Sequence, residues 1–539
     1  MTSPFEEGDP QSKICILAEA PSYTEIRMGR PLIGPSGQVF DQCLHSAGIL
    51  RREVYILNLW EEQVYKDREG KEIRTKHGEV LYTVKSGFTD AGAEYANNTL
   101  RRIEGCGANV VIPLGGVALE YMFGDNRIGK WRGSCLLSNI TDRKILPTYH
   151  PAAVLRGKSI WKYDIASDLS KARGQAQARE YRPPPRSLIV DPSYADVIAY
   201  LKDMQKVEKV AFDVEVLNGQ ISCISFAPSP MESMCIPLVG GEGGHRWTLE
   251  QEADIWLDIV PILDSPSIMK INQNIIFDLY MLLRRNNIHW RGPLGDTMIA
   301  QHIMFPDFPK GLDYICSIHT DEPYYKDDGK IWQRPWADPI RFWQYNARDS
   351  AVAFDAWNVL DPMLDNGYRD TYNDTIELFP ALMYMMLRGI RVDRDELGKT
   401  KTVVEGKIAD LEHSLKEESD YDFNPASPKQ CIEYFYIHKG IKPYVHHKTG
   451  RPTVDDKALA RIVRRYNLTE ARLVQELRRL NKLLSTYLEV GIDSDSRLRC
   501  MYNPRGTVTG RLSSSGTVFN TGMNMQNLHP EFKGFLVAG

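Results

Sequence analysis

Four carboxylates in three separate segments have the types and spacing needed to hold divalent cations. They are Asp213, Glu215, Asp278 and Asp349. Asp213 and Glu215 lie two residues apart in a strand-like run, and because side chains alternate along a strand, both point to one side. By itself such a pair is usually a solvated strand end. The complete set of hard oxygen ligands, however, predicts two Mg²⁺ or Mn²⁺ ions about 4 Å apart.

The other two carboxylates each share a helical turn with a second polar side chain. Asn274 precedes Asp278 by four residues and Tyr345 precedes Asp349 by four, a spacing that places both members on one helix face. The ligand types predict phosphodiester hydrolysis, with one ion activating a water and the other stabilising the leaving 3′ oxygen. Tyr345 is the candidate to orient that water, and no covalent intermediate is needed.

The order and element context of these pieces resemble the exonuclease motifs of the DnaQ-like (DEDDy) superfamily, in the proofreading form found in family A polymerases. The resemblance covers about residues 185–360. It implies a ribonuclease H-like α/β fold and 3′→5′ exonuclease activity, with the four carboxylates as metal ligands. Tyr345 becomes the water-positioning residue and Asn274 lies near the substrate. The fold also hosts RNA-processing nucleases, so it does not fix the substrate.

A segment rich in Gly, Ser and Thr near the C-terminus, residues 505–514, followed by residues 524–528, resembles the family A segment that precedes the palm and holds primer and template. Arg511, Gln526 and Asn527 are the groups expected to bind phosphates and minor-groove edges. Residues 388–393, 424–430 and 483–487 resemble upstream and thumb elements of the same polymerases. The resemblance implies a DNA-directed DNA polymerase of phage or bacterial type that acts in replication on primer-template DNA.

The palm aspartates of such polymerases are expected beyond Gly539, where the sequence ends. We therefore expect the chain to lack nucleotidyl transfer by itself, as a fragment or as one of two polypeptides that together form the polymerase. An alternative is a DNA repair nuclease in which the polymerase-like tail only grips DNA.

The N-terminal region, residues 13–172, resembles the family 4 uracil-DNA glycosylases. The segments that carry the resemblance are 18–22, 29–37, Asn58, 147–151 and 155–156. It implies that Glu19 supports the attacking water, that Asn58 reads the base edge and that His150 stabilises charge on the departing uracil. Leu155 and Arg156 would fill the gap in the duplex or hold its backbone.

Three departures from the glycosylase pattern argue against excision. Leu32 replaces an aromatic that stacks on the base, the N-terminal cysteine pair is missing, and an acidic segment follows Asn58 where a basic one is expected. Cys106 and Cys135 cannot hold a four-thiolate cluster by themselves, so no iron–sulfur cluster is expected. The alternatives are slow uracil excision and a non-catalytic module that binds DNA or a replication protein.

Three domains of α/β and then mostly α character are predicted to position these sites: residues 1–182, 183–369 and 370–539. In the first, apolar runs predict a largely parallel sheet between helices, closed by a helix over residues 161–173 and a stiff proline linker over 182–186. The predicted strands are 14–18, 54–57, 110–114 and 144–147.

The second domain is predicted to be a mixed sheet with helices packed on it. A helix over 194–204 precedes a strand over 209–214 and a meander through 221–226 and 234–238, after which helices dominate to about Leu364. From about Asp370 the third domain is predicted to be mostly helical, a thumb segment and the start of a palm, with no clear strand until the tail.

The periodicity of residues 471–490 predicts a helix with one buried stripe. Its apolar members are Leu473, Val474, Leu477, Leu480, Leu484, Tyr487 and Leu488. The exposed side is predicted to be basic, from Arg461, Arg464, Arg465, Arg472, Arg478, Arg479 and Lys482. Such a face is either simply solvated or follows a phosphate backbone.

Composition predicts an ordinary globular protein, with 42% hydrophobic and 25% charged residues in 539. The net charge of -4, from 66 basic and 70 acidic residues, gives no sign of nucleic acid, although local charge matters more than the total. Nine cysteines without a CxxC pair suit a reducing cytosol. With an acidic N-terminus and no long apolar run, we expect a cytoplasmic protein of a bacterium or an infected host cell.

Overall fold

The computed structural model describes residues 4–67, 69–241, 243–328, 338–419 and 421–537. The chain divides into two compact units, Met1–Tyr372 and Asn373–Gly539. The first unit contains two six-stranded sheets and the second is mainly helical, so the predicted fold class is confirmed. The finer division into three domains at residues 182 and 369 remains a prediction. Among the described helices, none combines the length and apolar character needed to span a bilayer.

The first six-stranded sheet has four parallel inner strands and an antiparallel strand at each edge. Its order is Glu6–Glu7, Val54–Asn58, Ile14–Ala18, Val110–Pro113, Lys144–Ile145, Leu136–Leu137. All four predicted strands are present; Ile14–Ala18 has the predicted bounds, and the C-terminal ends of the other three differ by one or two residues. They are buried throughout because helices cover both faces, which is why they read as continuous apolar runs.

The helices of this region follow the predicted alternation with strands. They are Tyr23–Met28, Pro35–Ser46, Asp90–Gly105, Gly116–Phe123, Ile128–Trp131, Ala152–Leu155 and Trp161–Gln175. Pro35–Ser46 and Trp161–Gln175 cover one face of the sheet, whereas Asp90–Gly105 and Gly116–Phe123 cover the other. The carboxyl ends of the parallel strands are therefore left to loops, where binding residues usually lie.

A small antiparallel sheet of four strands was missed by the sequence analysis. It consists of Tyr65–Lys66, Glu72–Arg74, Val80–Thr83 and Gly87–Phe88. Its strands are only two to four residues long, too short for period-two alternation to show.

The second six-stranded sheet carries the acidic pair on a central strand. Its order is Ser187–Ile189, Glu232–Pro237, Gln220–Ser229, Lys209–Leu217, Met269–Asn272, Leu294–Asp296. The antiparallel meander of three strands is confirmed, and each strand differs from its predicted bounds by a few residues. Met269–Asn272 and Leu294–Asp296 are parallel strands that were missed within the stretch predicted to be dominated by helices. Short buried runs of this kind cannot be separated from helix by periodicity.

Helices flank this second sheet, and the longest of them lies across it. They are Tyr194–Met204, Leu249–Leu263, Ile275–Asn286, Thr297–Met304, Leu312–His319 and Pro339–Leu364. Tyr194–Met204 has the predicted bounds and begins with a capping box at Ser193. Pro339–Leu364 packs on the three meander strands, which brings its buried middle over the strand that carries Asp213.

The second unit is built around a helical core. Its α-helices are Phe379–Arg388, Arg394–Glu418, Pro428–Ile432, Asp456–Tyr466, Thr469–Leu483 and Pro530–Lys533. Pro428–Ile432 continues as a π-helical turn to His438, and Thr469–Leu483 continues as one to Leu488. The second unit also has two small sheets. One has three strands, in the order Arg497–Leu498, Ile390–Val392, Leu536–Val537, and the other pairs Met501–Asn503 with Ser513–Ser515. Ile390–Val392 contradicts the prediction of no strand before the tail. Its partners lie more than 100 residues away in sequence, so no local pattern indicates it.

The predicted apolar stripe of residues 471–490 faces the core of the second unit. The basic side is also exposed as predicted, with one exception. Arg478 is half-buried and donates to the backbone carbonyls of Pro425 at 2.8 Å and Val454 at 2.6 Å. It therefore joins two connecting segments and is not part of the exposed basic face.

Candidate functional sites

The metal-ligand candidates Asp213, Glu215 and Asp349 meet at one point of the second sheet. Asp213 and Glu215 project from the Lys209–Leu217 strand, and Asp349 lies in the middle of the Pro339–Leu364 helix that crosses it. One carboxylate oxygen from each lies within 4.8 Å of the other two. Three converging carboxylates of this kind fit a hard divalent cation.

Asp278 lies beside this cluster but is not one of its three converging members. It is 4% exposed, and its Oδ1 accepts a hydrogen bond from the backbone N–H of Val214, 2.8 Å away. Val214 stands between Asp213 and Glu215, so the Ile275–Asn286 helix and the acidic strand are joined at this bond. Direct metal ligation by Asp278 remains a prediction.

The electrostatics of the cluster favour a bound cation. Burial and, secondly, the charge of Asp349 raise the pKa of Asp213 to about 7, against the opposing effects of Lys326 and Asn346. Burial and the nearby Asp213 also raise the pKa of Asp278 above its ordinary range. Because crowded carboxylates repel one another in a low-dielectric site, a cation placed between them relieves that repulsion.

Tyr325 and Lys326, which the sequence analysis missed, occupy the same site. Tyr325 Oη donates to Asp349 Oδ1 at 2.5 Å, and Lys326 Nζ donates to Asp349 Oδ2 at 2.5 Å. Lys326 Nζ also lies 2.9 Å from Tyr345 Oη. Both residues stand in an irregular segment without periodicity, so only the tertiary structure reveals their role.

Tyr345 lies on the same helix face as Asp349, as its spacing predicted. Burial, and secondly the charge of Asp349, raise the pKa of its phenol above the ordinary range. The hydroxyl therefore stays protonated at neutral pH and can donate a hydrogen bond. Asn346, the next residue, donates from Nδ2 to Asp213 Oδ2 at 2.8 Å and so ties the helix to the acidic strand.

Asn274 begins the Ile275–Asn286 helix in the left-handed conformation, with φ of 61°. Its backbone N–H and that of Ile275 donate to the buried carboxylate of Asp296, at 3.3 and 2.9 Å. Burial raises the pKa of Asp296 to about 6, and the same carboxylate caps the Thr297–Met304 helix. These hydrogen bonds to Asp296 hold the backbone of Asn274 in place. Contact between Asn274 and the substrate remains a prediction.

In the first domain, Glu19, His150 and Arg156 line a common cavity of about 540 Å³. Glu19 forms an ion pair with Lys66 at 3.1 Å. Burial lowers the pKa of His150, and its Nδ1 accepts from the backbone N–H of Ala152 at 3.2 Å. The neutral ring therefore carries its proton on Nε2, as needed for donation to a developing negative charge.

Asn58 and Leu32 lie outside the residues that line this cavity. Asn58 is 2% exposed, and its Nδ2 donates to the Pro4 carbonyl at 3.0 Å. Leu32 is buried in the core of the domain. Trp161 does line the cavity and stacks on Tyr149 with ring centroids 3.8 Å apart. The helical pattern of residues 161–173 does not by itself indicate this aromatic surface.

The predicted DNA-binding residues of the tail lie together on an exposed surface of the second unit. Arg511, Gln526 and Asn527 are all exposed. Gln526 Nε2 donates to the Leu512 carbonyl at 2.9 Å, which brings the amide segment beside the loop of Arg511. A cationic and an amide side chain are therefore available here to a backbone phosphate or a base edge.

Comparison with known proteins places two families along the chain. Residues 5–169 match the uracil DNA glycosylase superfamily, and residues 394–530 match DNA polymerase family A. Over 170 residues the chain is 26% identical to the type-4 uracil-DNA glycosylase of Thermotoga maritima, covering 31% of this chain and 79% of that protein.

Two phage polymerases align with longer parts of the chain. The DNA polymerase of Escherichia phage T5 is 26% identical over 412 residues, covering 67% of this chain and 45% of the polymerase. The DNA polymerase of Bacillus phage SP01 is 21% identical over 600 residues, covering 94% of this chain and 62% of the polymerase. The chain thus spans less than two thirds of the length of either. The chain is thus similar to the uracil DNA glycosylase superfamily in its N-terminal region and to DNA polymerase family A in a segment of its C-terminal part.

Proposed function

We propose that the chain is part of a replicative DNA polymerase and that its carboxylate cluster is a 3′→5′ proofreading exonuclease. The observation that carries the proposal is the convergence of Asp213, Glu215 and Asp349 within 4.8 Å, with Tyr345 one turn from Asp349 on the same helix. The family A match of residues 394–530 supports DNA as the substrate, since a proofreading site acts on the strand that a polymerase extends.

The residues of the site have distinct tasks in this proposal. Divalent ions bound by the carboxylates would activate the attacking water and stabilise the leaving 3′ oxygen. Asp213, Glu215 and Asp349 would hold these ions, and we assign Asp278 as a further ligand. The Tyr345 hydroxyl donates to the attacking water and orients it toward the phosphorus. Asn346 keeps Asp213 in place through its 2.8 Å hydrogen bond.

The second unit supplies DNA contacts in the proposal. The exposed arginines and Lys482 beside the Thr469–Leu483 helix, together with Arg511, Gln526 and Asn527, present a basic and amide-rich surface. Contacts of this kind bind primer-template phosphates with little sequence preference.

Digestion of a single-stranded oligonucleotide labelled at its 5′ end tests the exonuclease. We expect a Mg²⁺- or Mn²⁺-dependent ladder of products shortened from the 3′ end, because oxygen ligands select hard ions. The Asp213→Ala/Glu215→Ala variant should lose this activity and keep its fold. Asp203→Ala/Glu250→Ala, which removes two exposed carboxylates elsewhere on the same domain, is the matched control. Equal digestion by all three proteins would refute the proposal.

Uracil excision is a second candidate function, favoured by the shared cavity of Glu19, His150 and Arg156. We expect it to be slow or absent, because Asn58 is committed to the Pro4 carbonyl and Leu32 cannot stack. Loss of such stacking costs about 1–3 kcal/mol per base. The test is whether the chain creates alkali-labile abasic sites in uracil-containing DNA. Efficient excision that His150→Ala abolishes would show that the cavity is active; DNA binding without excision would support a non-catalytic module.

A further inference from the structure

Residues 320–328 connect the Leu312–His319 helix to the carboxylate cluster. From this connector, Tyr325 and Lys326 occupy both carboxylate oxygens of Asp349, each at 2.5 Å. Tyr325 is 6% exposed, and Lys326 reaches on to Tyr345 Oη at 2.9 Å. The position of a metal ligand and that of the water-orienting phenol therefore both depend on where this connector lies.

The two residues that flank Tyr325 and Lys326 in the connector contact the glycosylase-like domain. The backbone N–H of Tyr324 donates to Ser134 Oγ at 3.1 Å, and its ring lies edge-on to Trp131 at 5.6 Å. Asp327 forms an ion pair with Lys130, whose side chain is only 13% exposed. Tyr324 and Asp327 thus attach to the first domain, whereas Tyr325 and Lys326 between them attach to the metal-ligand helix.

The start of the connector is fixed to the same domain. Lys171 Nζ donates to the carbonyls of Gly133, Ser317 and Thr320, at 2.9, 2.7 and 2.6 Å. Gly133 has a φ of 71°, and a Cβ there would lie 2.6 Å from the Ser317 carbonyl oxygen. The two backbones meet so closely that the first domain acts as a rigid support for the connector.

We propose that the glycosylase-like domain positions the exonuclease site, by holding Tyr325 and Lys326 against Asp349 through the contacts of Lys130 and Ser134. This role rests on the proposed exonuclease and is separate from any base excision. Lys130 is a positioning residue in this arrangement, since it reaches the site only through Asp327 and its neighbour Lys326. A small displacement of the connector would misplace Asp349 and Tyr345, and a shift of about 1 Å can cost about 10²-fold in rate.

The experiment measures kcat and KM of the full chain on a uracil-free oligonucleotide, so that base excision plays no part. Lys130→Ala should lower kcat by about tenfold, which is less than the loss of about 10²-fold that a shift of about 1 Å can cause. KM should stay within about twofold of the parent value because no DNA contact is removed. Asp327→Asn breaks the same ion pair from the other side and should have a similar effect. Lys130→Arg keeps the charge and should retain most activity, and Lys85→Ala, an exposed lysine of the same domain, should match the parent.

Combining Lys130→Ala with Lys326→Met shows whether the domain acts through the connector. Lys326→Met alone should be at least as slow as Lys130→Ala, and the double variant should be no slower than Lys326→Met, because both changes disturb one linkage. Thermal unfolding identifies any variant that fails to fold, and in that case Asp327→Asn decides the outcome. Parent-like kcat in both Lys130→Ala and Asp327→Asn, or multiplicative losses in the double variant, would overturn the inference while the exonuclease stands. If the parent shows no digestion that Asp213→Ala/Glu215→Ala removes, both the inference and the proposed function fail.

Discussion

The surroundings of Tyr345 keep its phenol hydroxyl available as a hydrogen-bond donor in the site. Its raised pKa keeps the phenol protonated, and its neighbour Lys326 fixes the hydroxyl at 2.9 Å. We predict that Tyr345→Phe lowers exonuclease kcat by about 10²-fold, the lower part of the range for a positioned proton-handling group, with KM little changed. Single-turnover digestion of a labelled oligonucleotide measures this. The control is Tyr194→Phe, because the hydroxyl of Tyr194 donates to Asp254 outside the site. Equal losses of kcat in both variants would contradict the assignment.

His319 is a residue whose environment makes stability depend on pH. Burial lowers its pKa to about 4, and the charge of Lys171 contributes; Nε2 lies 3.0 Å from Gln301 Oε1. Because the unfolded chain binds this proton near pH 6.5 and the folded chain does so only near 4, stability falls as the pH drops through this interval.

We predict that the parent loses about 1–2 kcal/mol more unfolding free energy than His319→Gln between pH 7 and pH 5. Urea unfolding at the two pH values measures the difference. His413→Gln, an exposed histidine, should behave as the parent does. The same pH dependence in parent and His319→Gln would show that the ring is protonated equally in both states.

The sequence indicated those site residues that lie on regular elements. Asp213 with Glu215 and Tyr345 with Asp349 follow strand and helix periods, so their shared faces could be predicted. Lys326 stands in an irregular segment 23 residues from Asp349, and no local period connects the two. Asn58 follows the family pattern in sequence, yet its side chain is bonded to Pro4, a pairing that only the folded chain shows.

At the scale of elements, the short Leu294–Asp296 strand shows how a helix can approach a sheet closely. Gly295 faces the fully buried Trp357 of the Pro339–Leu364 helix, and a Cβ at Gly295 would lie 2.8 Å from Trp357 Cε2 and 3.1 Å from Ile271 Cγ1. We predict that Gly295→Ala destabilises the first unit by about 1–3 kcal/mol, the usual cost of overpacking. Denaturant unfolding followed by tryptophan fluorescence measures it.

Gly398→Ala, at a glycine in a helix of the second unit, is the control substitution. Gly398 lies in the Arg394–Glu418 helix, and an added Cβ would meet nothing within 4 Å. Alanine should therefore stabilise that helix by about 0.5–1 kcal/mol through its higher helix propensity. Destabilisation at both positions would mean that the loss does not come from the Trp357 contact.

Elements were predictable where their own sequence carries the signal. The Ile14–Ala18 strand and the Tyr194–Met204 helix have their predicted bounds because the first is a continuous apolar run and the second follows the helical period after a capping box at Ser193. Met269–Asn272, Leu294–Asp296 and Ile390–Val392 have three or four residues each. Such strands depend on partners distant in sequence, and tertiary context decides strand formation more than local preference does.

The whole molecule has a net charge of only -4, and yet its charges are unevenly placed. Exposed basic side chains lie on and beside the Thr469–Leu483 helix in the second unit, while carboxylates cluster at the candidate metal site of the first unit. The net charge therefore says little about the proposed DNA-binding surface, because binding responds to the local field.

The first unit also shows why the glycosylase-like region and the region of the second sheet need not behave as independent domains. The buried pair Arg132–Asp168 extends to Ser317 Oγ at 2.8 Å, and Tyr314 Oη donates to Asp164 at 2.6 Å. Lys171 completes this contact by donating to three carbonyls. We predict that Lys171→Met lowers the unfolding free energy of the first unit by about 2 kcal/mol or more, the cost of leaving buried acceptors unpaired. Calorimetry of the full chain measures it. The parent should unfold its glycosylase-like and sheet regions in one transition, and Lys171→Met should lower the temperature of that transition or split it.

Lys85→Met, at an exposed position, should leave the transition unchanged. Two separate transitions in the parent would show that the interface is too weak to make the first domain a support for the carboxylate site.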